Sequence, residues 1–495
     1  MALPAGLTKR DLASALEEFA AAVGRQFVFT SDEHINTYRD EFGPLRGTPK
    51  DPVPSAAIAP GSVEEVQKVV RIANQYRVPL WVISCGKNWG YGGPAPRVTG
   101  SVVVDLKRMN RILEVNEQHA YALVEPGVSY FDLYRHIQER KLKLWIDGPV
   151  GGWGSVVANT VERGVGQSIL GDFYNFQCGM EVVLPDGELM RTGMGAVPGS
   201  PTWQQYKWGF GPHVDGLFSH SNIGIVTKIG TWLAPEPPVF LSCQVSVPRF
   251  EDIVPLIDIT RPLRQKNLLV NSAVFPPRLG RPQDPANLGG WYNKIGFYGE
   301  DKVVDLQWQH VQDAYAAIPG VEFKARRFTA PYDAGEMDAF GRTLAGIPGV
   351  GGYGYRGVFC SPILPFTGEA IWNMIHSFDR IYQEYGLRYF GEAIHIHQAR
   401  ALVAPATVPI SLDDPKVNET AVALVRRLIV ESTRQGWGVY RITTAFMDEA
   451  MAAFSFNNGA LLRFHETLKD ALDPNGILAP GKNGIWPSKH RGRQA

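Results

Sequence analysis

The chain has 495 residues, enough for two or three domains and a sizeable buried core, so a small scaffold held together by disulfides is excluded. Its 49 Lys and Arg balance 49 Asp and Glu, and a formal net charge of zero provides no field to draw it to nucleic acid or an anionic membrane. The first expectation is therefore a small, mostly neutral partner, with no nucleic acid and no membrane. The 52 Gly and 36 Pro are scattered among apolar runs and predict a fold rich in turns and strands. Cys85, Cys178, Cys243 and Cys360 lie far apart with no CxxC, so neither a zinc knuckle nor a disulfide framework is indicated and the thiols read as reduced.

From Met1 to Ala22 the chain carries acids throughout and has no sustained apolar stretch, which reads as no signal peptide, and no later run approaches a bilayer span. A cytoplasmic protein is expected. Ser62 and Glu65 form a capping box ahead of Val66, Val69, Val70 and Ala73, the spacing of one helix face, and that helix stops before Pro79. Leu80 to Ile83 reads as a buried strand running into the glycine-rich turn Gly86 to Gly93. Further strands are expected at Ser101–Asp105, Tyr121–Glu125 and Met180–Leu184, the last followed by the turn Pro185-Asp186-Gly187. Near Pro235 the texture changes, and helix followed by strand recurs three times: Asp301 to Ile318 before Val321, Glu369 to Tyr385 before the strand through His395, and Lys416 to Gln435 before Val439-Tyr-Arg-Ile442. That pattern suggests an α+β unit with helices on one face of a sheet. The turn-rich segment Asp473 to Gly484 is expected to return to the first part of the fold.

A glycine-dense turn after a strand exposes backbone N–H groups with no Cβ in the way and can wrap a pyrophosphate; Gly86 to Gly93 fits this, and equally fits a plain surface turn. Gly349 to Gly354 matches GxGxxG by letter but lacks a following helix, because Val358 to Pro362 reads as a strand broken by proline. His395 and His397 fall on one face of a strand. They read as a metal pair without a nearby third ligand, as a proton acceptor in a pocket, or as packed sheet residues, and no metal is expected. Tyr440 and Arg441 point to opposite faces in an ideal strand, so spacing alone gives them no joint role.

The stretches Val82 to Pro94 (VISCGKNWGYGGP), Tyr121 to Gly127, Gly152 to Gly166, Arg191 to Gly195, Ser221 to Thr227 and Ala471 to Lys482 closely resemble the vanillyl-alcohol oxidase and p-cresol methylhydroxylase family. The resemblance implies an α+β flavoenzyme, with a PCMH-type FAD-binding domain from residues 1–235 and 456–495 and a cap over the flavin ring, an antiparallel sheet with covering helices, from residues 236–455. It implies that Gly86, Lys87, Asn88 and Gly90 hold the FAD pyrophosphate. Ser84, Pro126 and Gly127 would line the rest of the cofactor, together with Gly152, Gly154, Ser155, Asn159, Thr160, Gly164 and Gly166. Asn222, Gly224, Ile225, Val226 and Lys482 would complete that lining. Tyr91, Tyr440 and Arg441 match the family's phenol-binding trio, and two phenolic donors with one guanidinium favour a bound phenolate over a phenol. The implied reaction is hydride transfer from the para substituent of a phenol to flavin N5 through a p-quinone methide, giving alcohol, aldehyde, ketone or alkene products.

Three departures from the family pattern stand out. Val150 occupies the place of an acid that lies near the flavin in the oxidases. Gly357 stands where those oxidases link a histidine to the cofactor, and no histidine occurs from Gly341 to Leu364. Non-covalent FAD is therefore expected, with a tyrosyl link through Tyr353 or Tyr355 as the alternative. The relatives' paired-histidine motif is missing, and one of Glu392, His395 and His397 is expected to accept a proton or activate water in place of the lost acid. O2 or a c-type cytochrome is the expected electron acceptor, and relatives of this kind imply a homodimer. Two other readings stay open: an FAD-linked oxidation of a non-phenolic alcohol, and a flavoprotein that has lost turnover.

Overall fold

The computed structural model describes residues 2–149, 151–278, 289–350 and 356–491. The helix predicted after Ser62 spans Val63–Tyr76, with the Ser62 hydroxyl accepting the Glu65 N–H at 3.2 Å. The Glu65 carboxylate turns instead to the Gly61 N–H at 2.7 Å, so the box closes one residue early. Val66, Val69 and Val70 are fully buried, each worth roughly 1.5–3 kcal/mol. Arg77 ends the helix in the left-handed region, and the chain re-enters as the strand Leu80–Ile83.

That strand lies in a four-stranded sheet with Val28–Phe29, Ala56–Ile58 and Val102–Asp105. Ala56–Ile58 and Leu80–Ile83 both run parallel to Val102–Asp105. The turn-rich C-terminal segment comes back to this sheet: Leu80 N–H donates to the Ile477 carbonyl at 2.7 Å, and Ala479 N–H to the Leu80 carbonyl at 2.8 Å. Beside it stands a five-stranded antiparallel sheet of Ile112–Asn116, Tyr121–Val124, Ile225–Trp232, Gln177–Val183 and Leu189–Arg191.

The later half of the chain builds a seven-stranded antiparallel sheet whose longest strands are Val239–Val247, Trp291–Gly299 and, at one edge, Glu322–Thr329. Its helices include Ile253–Gln265, Asp301–Tyr315, Gly368–Glu384 and Pro415–Arg434, which share one core with the sheet. The period of two is legible along Val239–Val247. Leu241, Cys243, Val245 and Val247 join the helix-side core, while Phe240 packs with Phe328, Met337 and Leu344 in a separate cluster. Ile394–His397 belongs to the same sheet and keeps its two histidines on one face, with Ile394 and Ile396 buried on the other.

One predicted strand is absent. Val439 makes a single antiparallel bridge to Pro362, and Tyr440 is a bend, not a strand residue. The bridge is bracketed by Ile363 N–H to the Gly438 carbonyl and Tyr440 N–H to the Ser361 carbonyl, both 2.8 Å, after which the backbone leaves the ladder. No described helix is long and apolar enough to cross a membrane.

Candidate active site

Where the sheets and the C-terminal return meet, a cavity of about 690 Å³ opens, within the range of a small-molecule site. Its walls carry Ser84, Gly86, Lys87, Asn88 and Pro126 from the first half of the chain. Gly154, Ser155, Asn159 and Gly166 follow, then Asn222, Gly224, Ile225, Val226 and Lys482. Five expected lining residues lie outside the wall. A Cβ on Gly90 would sit 2.3 Å from the Phe359 ring, so that glycine admits a phenylalanine. Gly127 lies against the Lys107 carbonyl, Gly152 against Phe131 and Pro348, and Gly164 against the Asn159 amide. Thr160 is buried and spends its hydroxyl on the Val156 carbonyl.

The missing strand explains how two adjacent residues converge. Because the chain bends at Tyr440, both Tyr440 and Arg441 reach Tyr91. The Tyr91 and Tyr440 rings meet edge to face at 6.2 Å, and the Arg441 guanidinium carbon lies 4.4 Å from the Tyr91 ring centroid and 4.8 Å from that of Tyr440. Such packing combines ring area with cation–π attraction. Tyr91 also stacks on Phe359 at 4.9 Å and shares a 2.7 Å hydrogen bond with the Ser361 hydroxyl. Tyr440 donates its proton to the Arg163 carbonyl. Its burial raises its pKa against the pull of Arg441.

Glu392 and His395 border the same cavity, whereas His397 does not. Glu392 accepts from the Thr407 N–H and hydroxyl, each at 2.6 Å, yet burial outweighs these donors and holds its pKa above the usual carboxylate range. Burial pushes His395 down to about 4, so it is neutral, and its Nδ1 has no partner. His397 sits one strand repeat further on, with Nδ1 3.6 Å from the Asp172 carboxylate and its ring 6.1 Å from Tyr440.

Sequence reasoning missed a second acidic residue on the wall, in addition to Glu392. Glu162 meets Lys482 at 2.5 Å and lies 3.6 Å from His220. Burial would raise its pKa, but the Lys482 charge and then His220 and Arg441 bring it down to about 2. Its place inside the Gly152–Gly166 stretch was the available signal. Val150, Tyr353 and Tyr355, which carry the questions of the lost acid and a tyrosyl link, lie outside the described residues.

Residues 54–193 match the FAD binding domain family. The chain is 34% identical to the flavoprotein subunit of 4-cresol dehydrogenase [hydroxylating] from Pseudomonas putida, over 98% of this chain and 97% of that one. Among solved structures, the 4-ethylphenol oxidase from Gulosibacter chungangensis in its isoeugenol complex superposes with a TM-score of 0.92 at 35% identity, covering 99% of this chain and 100% of that one. The substrate-bound p-cresol methylhydroxylase gives a TM-score of 0.89 at 33% identity, over 98% and 99% of the two chains. The cavity suits such a cofactor. A Cβ at Gly154 would meet nothing nearer than 3.4 Å, leaving room for a ligand against the backbone. Asn222 spends its amide nitrogen on the Ala479 and Ile485 carbonyls and keeps a buried Oδ1 with no protein donor, an acceptor that a ligand N–H or O–H can fill.

Proposed function

The chain belongs to the vanillyl-alcohol oxidase and p-cresol methylhydroxylase family of FAD-dependent oxidoreductases, and from this membership we propose that it oxidises para-substituted phenols, 4-alkylphenols or 4-hydroxybenzylic alcohols. The observation that supports the reading is the contact of Tyr91, Tyr440 and Arg441 beside a cavity that also bears most of the residues expected to line FAD. When bound, FAD supplies the two-electron acceptor for a hydride from the carbon attached para to the phenol oxygen.

The residues of this chain do the rest. Arg441 provides fixed positive charge and N–H donors, which favour the ionised phenol. Tyr91 adds a second donor, and Tyr440 a third once its proton exchanges the Arg163 carbonyl for the ligand oxygen. Electron density from the oxyanion is then driven to the para position, and loss of hydride leaves a p-quinone methide. Water addition to it gives a benzylic alcohol, and a 4-hydroxybenzylic alcohol substrate gives the aldehyde.

Glu392 and His395 divide the task that the residue at Val150 does not perform. Neutral His395, with an unpartnered Nδ1, orients water but holds a proton poorly; Glu392, whose pKa is raised, is the better proton store. His397 acts through Tyr440 and Asp172 rather than on the substrate. FAD is held without a covalent bond in this reading. Electrons pass on to O2 or to a c-type cytochrome.

Anaerobic mixing of the flavin-loaded protein with 4-ethylphenol, and separately with lactate or glucose, tests the substrate class. Bleaching of the flavin band by the phenol alone is the expected result. Bleaching by a non-phenolic alcohol with none by the phenol overturns the reading.

A further inference from the structure

We propose that Ser361 is a positioning residue behind Tyr91: its hydroxyl donates to the Tyr91 phenolic oxygen, which leaves the Tyr91 proton directed at the oxygen of a bound phenolate. The proposal rests on the phenol reading above. Ser361 is fully buried, immediately after the strand Gly357–Cys360, and does not border the cavity. It nevertheless touches both tyrosines. Its hydroxyl lies 2.7 Å from the Tyr91 oxygen, and its carbonyl accepts the Tyr440 N–H at 2.8 Å.

The surroundings fix where the Tyr91 oxygen sits. Its ring stacks on Phe359, whose own N–H donates to the Gly90 carbonyl at 3.1 Å, so ring and backbone are held by the same short strand. The 2.7 Å contact between the two hydroxyls allows either one to be the donor. A phenol has a single O–H. If Tyr91 donated to Ser361, it would present only lone pairs to a ligand oxygen and repel a phenolate. If Ser361 donates, both protons of the pair run toward the anion and each bond polarises the next. The Arg441 charge, 4.4 Å from the Tyr91 ring, favours an anion in that place and hence the second arrangement. The serine thus acts through Tyr91 and never on the substrate itself.

The test uses the flavin-loaded full chain and 4-nitrophenol, which has no oxidisable para carbon and whose phenolate is distinguished from its phenol by difference absorbance. In the parent protein the bound probe should ionise at a lower pH than free probe. Ser361→Ala should raise the pH at which the bound probe ionises and weaken phenolate binding about 3- to 10-fold, the loss expected for one hydrogen bond, with flavin content unchanged. Ser361→Cys keeps the packing and offers a weaker donor, so it should fall between the two. In a Tyr91→Phe background, Ser361→Ala should have no further effect. An equal loss in that background would mean that the serine only packs, and no loss in Ser361→Ala or Ser361→Cys would also overturn the role. If the parent protein binds the probe only as neutral phenol, or fails to bind it, the phenolate reading itself fails and this inference falls with it; a parent that binds phenolate beside an indifferent serine variant overturns the inference alone.

Discussion

Asp147 shows how a single buried carboxyl shapes the wall without touching the cavity. One of its oxygens accepts the Ser168 N–H at 2.9 Å and the other has no partner, so burial pushes its pKa up to about 7 against the Ser168 and Gln167 donors. A Cβ on Gly166 would lie 2.2 Å from that carboxylate, which is why a glycine stands on the cavity wall there. Between about pH 4 and 7 the unfolded chain ionises this group while the folded chain keeps the proton, so its contribution to stability falls as pH rises and is fully lost above about 7. Each tenfold difference in proton affinity is worth about 1.4 kcal/mol. Asp147→Asn, which keeps the shape and an acceptor for Ser168, should therefore gain melting temperature over the parent by an amount that grows from pH 4 to 7 and then levels off. Thermal unfolding across that range checks this, and a gain independent of pH contradicts it. His220 and His395, both held near 4 by burial, act in the opposite direction: the unfolded chain binds their protons first as pH falls below about 6.5, so stability is lost on acidification in both proteins alike.

At the scale of elements, the three late helices were legible because each carries an apolar stripe, and two of them a cap, Thr367 before Gly368–Glu384 and Asp414 before Pro415–Arg434. Val439 to Ile442 reads as a strand because β-branched and aromatic residues favour one, but its pairing with Ser361 and Pro362, distant in sequence, stops at Tyr440. A second element invisible to pattern is the clamp at the C-terminal return. Lys469, on the helix Phe456–Leu472, is fully buried and donates to the Asn222 carbonyl, the Asp473 carboxylate and the Leu478 carbonyl, each at 2.6 Å. Asp473 in turn accepts the Ile477 and Leu478 N–H groups at 2.9 Å. The clamp ties the returning chain to the Ser221–Val226 turn on the cavity wall. Lys469→Met leaves a buried carboxylate without its counter-charge and should cost about 3–5 kcal/mol, with flavin lost more readily on gel filtration. Urea unfolding within 1 kcal/mol of the parent, with flavin retained, contradicts that assignment.

Across the whole molecule, the candidate site draws on Ser84 near one end of the cavity-lining sequence and Lys482 near the other, joined by the strand pairing of Leu80 with Leu478. The glycine-rich turn and the family motifs were readable because they are local strings, and the trio only through the resemblance, since Tyr91 lies far in sequence from Tyr440 and Arg441. The partners that tune them were not, since Glu162 with Lys482, Asp172 with His397 and Ser361 with Tyr91 are brought together only by folding. Zero net charge fits a molecule whose charges are spent in such internal pairs and whose proposed substrate is a small neutral phenol. The proposed chemistry requires that phenol to be held as an anion by Tyr91, Tyr440 and Arg441. The most direct measurement compares anaerobic bleaching of the flavin by 4-ethylphenol and by 4-ethylanisole, which has the same para substituent and an oxygen that cannot ionise. Rapid bleaching by the phenol and none by the ether is the predicted result; equal rates with the two compounds would contradict the account.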